Sequence, residues 1–133
     1  MGERRSVSVL VVDDDLDIRE VVSEILLDAG YTVASAADGA EALALLEELR
    51  PGLILLDLNM PRMNGQQFRA RQRKDASLGQ IPTVIMSAVD RLSTFLPELS
   101  PEDALPKPVR YADLMILVKR YCGDAPRRAT ASG

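Results

Sequence analysis

The sequence predicts an α/β domain with a doubly wound, five-stranded parallel sheet. Segments with strand character and segments with helical spacing alternate five times along the 133 residues. The strand segments are apolar runs, typical of strands buried on both faces of a sheet. Because parallel strands need crossover connections, the intervening helices are expected to cover both faces. Ligand sites in such sheets lie at the carboxyl ends of the strands.

Each strand is predicted from a short run in which β-branched and other apolar residues are frequent. The five runs are 7–12 (VSVLVV), 31–36 (YTVASA), 53–58 (LILLDL), 82–88 (PTVIMSA) and a short piece around Ala104–Leu105. The fifth strand is expected to be weak, because Pro106 lacks a backbone N–H donor.

Helices are predicted where apolar residues recur at intervals of three and four. The first starts at Leu16 and stops at Gly30, and the second has Asp38 as its N-cap and Pro51-Gly52 as its terminator. The last is predicted over 109–122. The apolar stripes are Ile18, Val21, Val22, Ile25 and Leu26 in the first helix and Leu114, Leu117, Val118 and Tyr121 in the last.

The third and fourth helices have weaker signals. Residues 66–79 predict one helix, and its basic cluster is interpreted as a solvated face. The stretch between Ser87 and Lys107 should hold a fourth helix, but Pro97 and Pro101 interrupt its spacing, so this helix is predicted to be short or distorted. The basic cluster of the third helix comprises Arg69, Arg71, Arg73 and Lys74.

The composition excludes several classes of function. The chain has no histidine, which excludes histidine-based catalysis and most zinc sites. Its one cysteine, Cys122, allows no internal disulfide, and a cytoplasmic location is expected. The apolar runs are too short to span a membrane, and no signal peptide is recognisable. The net charge of −4 argues against direct nucleic-acid binding by the folded body.

Polar side chains follow the carboxyl ends of four predicted strands. Because these ends meet at one edge of a parallel sheet, we expect at least three carboxylates, one hydroxyl and one ammonium group around one crevice. The residues are Asp13, Asp14 and Asp15 after the first strand, Asp57 at the third, Ser87 at the fourth and Lys107 at the fifth.

Such a cluster needs a cation, because close carboxylates repel one another and one lysine is insufficient for three. An all-oxygen site suits Mg²⁺, which keeps several waters and invites a phosphoryl group. Ser87 and Lys107 would bind the phosphoryl oxygens, and Asp57 would be the nucleophile that forms an aspartyl phosphate. Asp15 and Asp17 are interpreted as helix-start residues without a part in the chemistry.

Four motifs occur in the order VLVVDDD…R, LILLDLNMPRMNG, PTVIMSA and PKPV. Together they resemble the receiver domain of two-component response regulators, over roughly residues 7–122. The resemblance implies a flavodoxin-like (βα)5 fold. It also implies a signalling module, not an enzyme, which a histidine kinase or phosphotransfer protein phosphorylates on Asp57 to switch contacts with an output protein.

The resemblance also implies domain boundaries. Residues 1–6 would be an N-terminal extension, and 123–133 a disordered tail too short for an output domain. The chain would then be a stand-alone receiver or one excised from a longer protein, and it would act through protein contacts.

Metal-binding roles follow from the same resemblance. Asp14 and Asp57 would bind Mg²⁺ directly, together with the backbone carbonyl of Asn59. Asp13 would bind it through water or by electrostatic steering.

The other implied roles concern the phosphoryl group and the loop beside it. Ser87 would hydrogen-bond the phosphoryl group, and Lys107 would pair with the carboxylate or the phosphoryl oxygen. Pro61 and Gly65 would shape the loop that closes the site. A cis peptide bond is implied at Lys107–Pro108.

One position departs from the family, and alternatives stay open. The usual aromatic residue three positions before the lysine is Ala104 here, and neither Phe95 nor Tyr111 occupies its place. This favours, as an alternative, a pseudo-receiver that binds partners independently of phosphorylation.

Two further alternatives concern the opening aspartates and the last helix. The pattern Asp13-x-Asp15 is similar to the nucleophile motif of haloacid-dehalogenase-type phosphatases, although Leu16-Asp17 follows it where threonine is usual. A homodimer through the last helix is a further expectation, because Met115 and Ile116 lie off its apolar stripe.

Overall fold

Five parallel strands form one sheet in the order β2-β1-β3-β4-β5, which confirms the predicted doubly wound architecture. The structure is a computed structural model that describes residues 4–58, 60, 63–88 and 103–125. Within these residues the elements are β1 (Arg5–Val12), α1 (Leu16–Asp28), β2 (Val33–Ala36), α2 (Gly39–Leu45), β3 (Leu49–Asp57), α3 (Gly65–Lys74), α4 (Ala76–Gly79), β4 (Thr83–Ala88), β5 (Asp103–Lys107) and α5 (Tyr111–Cys122).

Among the described residues, the core consists of two apolar clusters, one on each face of the sheet. Successive strand residues point to opposite faces, so Leu10 and Val12 of β1 belong to one cluster, and Val9 and Val11 belong to the other. The first cluster includes Phe68 of α3. Both faces therefore need an apolar covering, which explains why the strands are continuous apolar runs.

The caps and stripes of the flanking helices mostly follow the sequence predictions. Asp15 caps α1 by accepting from the backbone N–H groups of Asp17 and Ile18, and Asp38 caps α2. Gly30 adopts a φ of 99° just after α1, a left-handed conformation that favours glycine. One member of the predicted α1 stripe, Val21, is exposed. In α5 the three aliphatic members of the stripe, Leu114, Leu117 and Val118, are buried.

The predicted boundary between the second helix and the third strand is wrong. Helix α2 ends at Leu45, and β3 begins at Leu49, so Pro51 and Gly52 lie inside the strand. Pro51 is in register with Val7 of β1. A Cβ atom on Gly52 would lie 3.3 Å from the carbonyl oxygen of Ser8, so glycine permits the close approach of the two strands.

The predicted third helix is two helices that meet at Asp75. This residue has an extended backbone conformation and ends α3, and its carboxylate accepts hydrogen bonds from the N–H groups of Ser77 and Leu78 at the start of α4. Because Asp side chains compete for nearby backbone donors, an aspartate here ends one helix and starts another.

The basic cluster of α3 is not a uniformly solvated face. Arg69 is buried, and its guanidinium donates to Gln72 at 2.9 Å and to Thr83 of β4 at 3.3 Å. Gln72 is also buried and donates to the carbonyls of Leu78 and Ile81. The prediction of a solvated face is therefore wrong for Arg69, which belongs to a polar network that joins α3 and α4 to β4.

Other boundaries differ only slightly from the sequence predictions. β1 begins at Arg5, within the predicted N-terminal extension, and β5 extends over Asp103–Lys107 at the edge of the described sheet. The short or distorted fourth helix and most of the predicted tail fall in 89–102 and 126–133, outside the described residues. None of the described helices is long and apolar enough to cross a membrane.

Candidate functional site

The register of the sheet brings the predicted polar residues to one edge. Val12 pairs with Leu56, so Asp13 follows β1 directly beside Asp57 at the end of β3. Asp57 pairs with Met86, which places Ser87 one residue further along β4. At the last pair of strands, Ala88 is in register with Lys107.

Three carboxylates lie close enough together to share a cation. One oxygen from each of Asp13, Asp14 and Asp57 lies within 4.8 Å of the others. Asp13 and Asp57 are buried, whereas Asp14 is exposed. The cluster is thus open on one side and enclosed by the sheet on the other, as a hard metal ion that keeps several water ligands requires.

Lys107 joins the two buried carboxylates. Its Nζ donates to Asp13 Oδ2 at 2.8 Å and to Asp57 Oδ1 at 3.1 Å. Burial lowers the pKa of Lys107, but the hydrogen bond to Asp13 and the charges of Asp57 and Asp13 together outweigh it, so the pKa lies above the ordinary lysine value. Lys107 is therefore charged at neutral pH. The peptide bond to Pro108 is cis, as the resemblance implies.

Asp13 is held from several sides. Its Oδ1 accepts a hydrogen bond from the Asp15 N–H at 2.9 Å, while Oδ2 accepts the one from Lys107. Its backbone N–H donates to the carbonyl of Ala36 in β2 at 3.1 Å. Each carboxylate oxygen of Asp13 thus already has a protein donor.

Sequence reasoning gave no role to Arg19, although the quoted first motif ends at this residue. Its guanidinium donates to the carbonyl oxygen of Asp13 at 2.7 Å, from the first turns of α1. The signal that could have found it is its position in the helix that starts directly after the aspartates. This contact fixes the backbone at the end of β1.

The remaining predicted residues have different outcomes. Ser87 is buried at the end of β4. Gly65 starts α3 in such close contact with β3 that an added Cβ would lie 2.5 Å from the carbonyl oxygen of Asp57. Asn59 and Pro61 lie outside the described residues. Asp15 caps α1 through its side chain, as predicted.

The fold and this site define a class of proteins. Its members have an open parallel α/β sheet with a cluster of carboxylates and a lysine at the carboxyl ends of the strands. A family model for the response regulator receiver domain matches residues 9–119. The chain belongs to this family, and it is a receiver domain of the two-component signalling type. Proteins of this family are signalling proteins.

Individual relatives agree with this assignment. The response regulator MprA of Mycobacterium ulcerans is 37% identical over 112 residues, which cover 83% of this chain and 47% of MprA. The DNA-binding dual master transcriptional regulator RpaA of Synechocystis is 34% identical over 115 residues, 84% of this chain and 47% of RpaA. The chain thus spans about half the length of these curated relatives.

Solved structures share the fold. The chemotaxis protein CheY4 of Vibrio cholerae matches with a TM-score of 0.77 and 32% identity, covering 90% of this chain and 99% of CheY4. The receiver domain of NtrX from Brucella abortus matches with a TM-score of 0.78 and 28% identity, covering 86% and 98%. Both comparisons agree with the predicted fold class and family.

Proposed function

We propose that Asp57 is the phosphoacceptor of this receiver domain, and that its Mg²⁺-dependent phosphorylation switches protein contacts. The observation that carries the proposal is the pair of hydrogen bonds from Lys107 to the buried carboxylates of Asp57 and Asp13. A buried carboxylate beside a fixed ammonium group is arranged to accept a group that brings negative charge with it.

The donor set fits Mg²⁺. Three carboxylates offer only oxygen ligands, which magnesium prefers, and the exposed side of Asp14 leaves room for its waters. Because both oxygens of Asp13 already accept hydrogen bonds, the exposed Asp14 is better placed to bind the ion directly and Asp13 would act through water, while Asp57 would be a direct ligand as the resemblance implies. The backbone carbonyl of Asn59 would complete the protein ligands. The ion would supply positive charge that neutralises the phosphoryl oxygens during transfer.

The residues of the chain have separate tasks in the transfer. A carboxylate oxygen of Asp57 forms the new bond to phosphorus while the P–N bond of a phosphohistidine donor breaks and the imidazole leaves. Lys107 can turn its donors from the Asp57 carboxylate to a phosphoryl oxygen, since its Nζ already lies beside this carboxylate. Ser87 supplies a hydroxyl at the end of the neighbouring strand.

The proposed partners follow from the family. The phosphoryl donor would be a histidine kinase or a phosphotransfer protein, and an output protein or domain would read the phosphorylated state. RpaA is named a DNA-binding regulator, but its matched segment is about half of that protein. The proposal for residues 7–122 therefore includes no DNA contact, and their cytoplasmic location stays a prediction.

A homodimer through α5 was predicted from Met115 and Ile116, and one of these two residues supports it. Ile116 is 57% exposed, whereas Met115 packs against the core. Sedimentation with and without beryllofluoride would test this part of the proposal. Of the alternatives, neither the relatives nor the solved structures reported above favour the pseudo-receiver.

The central experiment is phosphorylation by acetyl phosphate, followed by intact mass. Wild type should gain one phosphoryl group in the presence of Mg²⁺ and none with EDTA, and Asp57→Asn should gain none. Asp17→Asn is the matched control, because it removes a carboxylate of the first turn of α1 outside the cluster. Absence of any Mg²⁺-dependent adduct on wild type, by acetyl phosphate or beryllofluoride, would rule the proposal out.

A further inference from the structure

The connection between β2 and α2 contacts both halves of the acidic site. At its start, the carbonyl of Ala36 accepts the backbone N–H of Asp13 at 3.1 Å. At its end, the N–H of Gly39 donates to the carbonyl of Met63 at 2.9 Å, in the loop that follows Asp57. The segment 36–39 therefore lies between the end of β1 and the β3–α3 loop.

This segment is itself held rigidly. Asp38 is fully buried, and its carboxylate accepts the N–H of Glu41 at 2.9 Å. The side chain of Glu41 in turn accepts the N–H of Ala37. Two side-chain hydrogen bonds across the start of one short helix leave the segment little freedom to move when its neighbours are displaced.

Gly39 is the closest contact of this segment with the loop. A Cβ atom added there would lie 2.8 Å from Met63 Cγ and 2.9 Å from the Met63 carbonyl oxygen. The backbone of Gly39 has no positive φ, so close approach rather than conformation requires glycine here. To reach ordinary contact distance, the carbonyl would have to move by about half an ångström.

We infer that Gly39 is a positioning residue for the phosphorylation site, because it sets how closely the loop after Asp57 packs against the segment that holds Asp13. The inference rests on the proposed function of Asp57. The contact holds Met63 just before α3, and the Gly65 N–H donates back to the carbonyl of Leu58 at 3.2 Å, so Met63 lies close in the chain to a residue that is hydrogen-bonded to the one after Asp57. A displaced loop changes the position of the groups that surround Asp57.

The direct test is Gly39→Ala, with Gly79→Ala as the matched control. A Cβ on Gly79 would meet nothing closer than 3.5 Å, so the control adds the same methyl group without a clash. A shift of half an ångström at the Met63 carbonyl, when passed on to the groups around Asp57, should lower the rate of phosphorylation by acetyl phosphate up to about tenfold. The apparent Mg²⁺ affinity, measured by NMR titration, should fall as well, while Gly79→Ala should match wild type.

A second substitution separates the two parts of the clash. Met63→Ala in the Gly39→Ala background removes the Cγ contact but leaves the carbonyl oxygen at 2.9 Å and the Cβ at 3.1 Å, so rate and Mg²⁺ affinity should recover only in part. Rates and affinities of Gly39→Ala equal to those of Gly79→Ala would overturn the inference. A lowered melting temperature with an unchanged Mg²⁺ affinity would overturn it too, because that result means a purely structural role.

Hydrogen exchange on wild type covers the case in which Gly39→Ala does not fold. The Gly39 amide should exchange more slowly once Mg²⁺ and beryllofluoride are bound, whereas the Gly30 amide, which bonds within the end of α1, should not change. Unchanged exchange at Gly39 would count against the inference. If wild type binds Mg²⁺ but forms no adduct, the proposed function fails, and the Mg²⁺ titrations of the variants still test Gly39.

Discussion

Substitution of Lys107 by methionine tests whether this lysine holds the acidic cluster together. The change removes the ammonium group that bonds Asp13 and Asp57, and it leaves two buried carboxylates facing each other. Removing one partner of a buried ion pair costs about 3–5 kcal/mol of unfolding free energy. Because the Lys107 side chain is 24% exposed, we expect the lower end, about 3 kcal/mol.

The assay is urea unfolding followed by circular dichroism, with EDTA and then with Mg²⁺. With an m-value of about 2 kcal/mol per molar urea, the midpoint in EDTA should fall by about 1.5 M. Magnesium should narrow the gap to wild type, since a cluster without its lysine has more negative charge for the ion to neutralise. Because the ion stabilises wild type as well, only the difference in affinity counts, and a tenfold tighter Mg²⁺ site in the variant would narrow the gap by about 1.4 kcal/mol.

The control is Lys119→Met, which removes an exposed lysine of α5 and should leave the midpoint nearly unchanged. Asp57→Asn in the Lys107→Met background should restore part of the lost stability, because it removes one of the two facing charges. If Lys107→Met unfolds at the same urea concentration as Lys119→Met, the ion pairs contribute nothing. If Mg²⁺ leaves both midpoints unchanged, the carboxylates do not bind the ion.

Three further predictions follow from named contacts. Asp15→Ala should lower the unfolding free energy by about 1 kcal/mol, because the N-cap of α1 is lost, and should leave the Mg²⁺ affinity unchanged. Asp14→Ala should weaken Mg²⁺ binding at least about tenfold. Urea unfolding measures the stability of both variants, and NMR titration measures their Mg²⁺ affinity. Gln72→Leu should cost about 3 kcal/mol in urea unfolding, because it removes the buried hydrogen bonds that Gln72 donates to the Leu78 and Ile81 carbonyls and accepts from Arg69, while the exposed Gln80→Leu should cost little. The stability that Lys107 contributes should be full below the ordinary lysine pKa and be lost as pH rises through its raised folded-state pKa, so the melting-temperature gap to Lys107→Met should close in strongly alkaline buffer.

The sequence was sufficient for the doubly wound parallel sheet and for most of the residues at its carboxyl edge, because both depend on patterns that repeat along the chain. An apolar run followed by Asp57 and another followed by Ser87 place both residues at one sheet edge, whatever the helices between them do. Asp15 could also be predicted as a cap, since a helix that starts at Leu16 needs an acceptor just before it. These inferences need only local chemistry and one rule about parallel sheets.

The wrong sequence predictions share one physical cause: tertiary packing overrides the local sequence signals. Pro51-Gly52 is a strong turn signal, yet this pair lies in a strand whose register with β1 extends from Leu49 to Leu56. Arg69 stands among exposed basic residues and carries no sign of burial, since its partner Thr83 becomes a neighbour only when α3 packs against β4.

The close packing of Gly39 could not be predicted from the sequence for the same reason. Here the missed contact bears on the proposed function and not only on the fold. In sequence it is a glycine at the start of a helix, where a turn preference explains it without further argument. Only the packed structure shows that Met63, 24 positions later, occupies the space of its missing side chain. Residues that position a site through close backbone approach leave no chemical signature, because what they contribute is the absence of an atom. In this family member they are expected where two connections meet beside the acidic cluster, and the comparison of Gly39→Ala with Gly79→Ala measures that contribution directly.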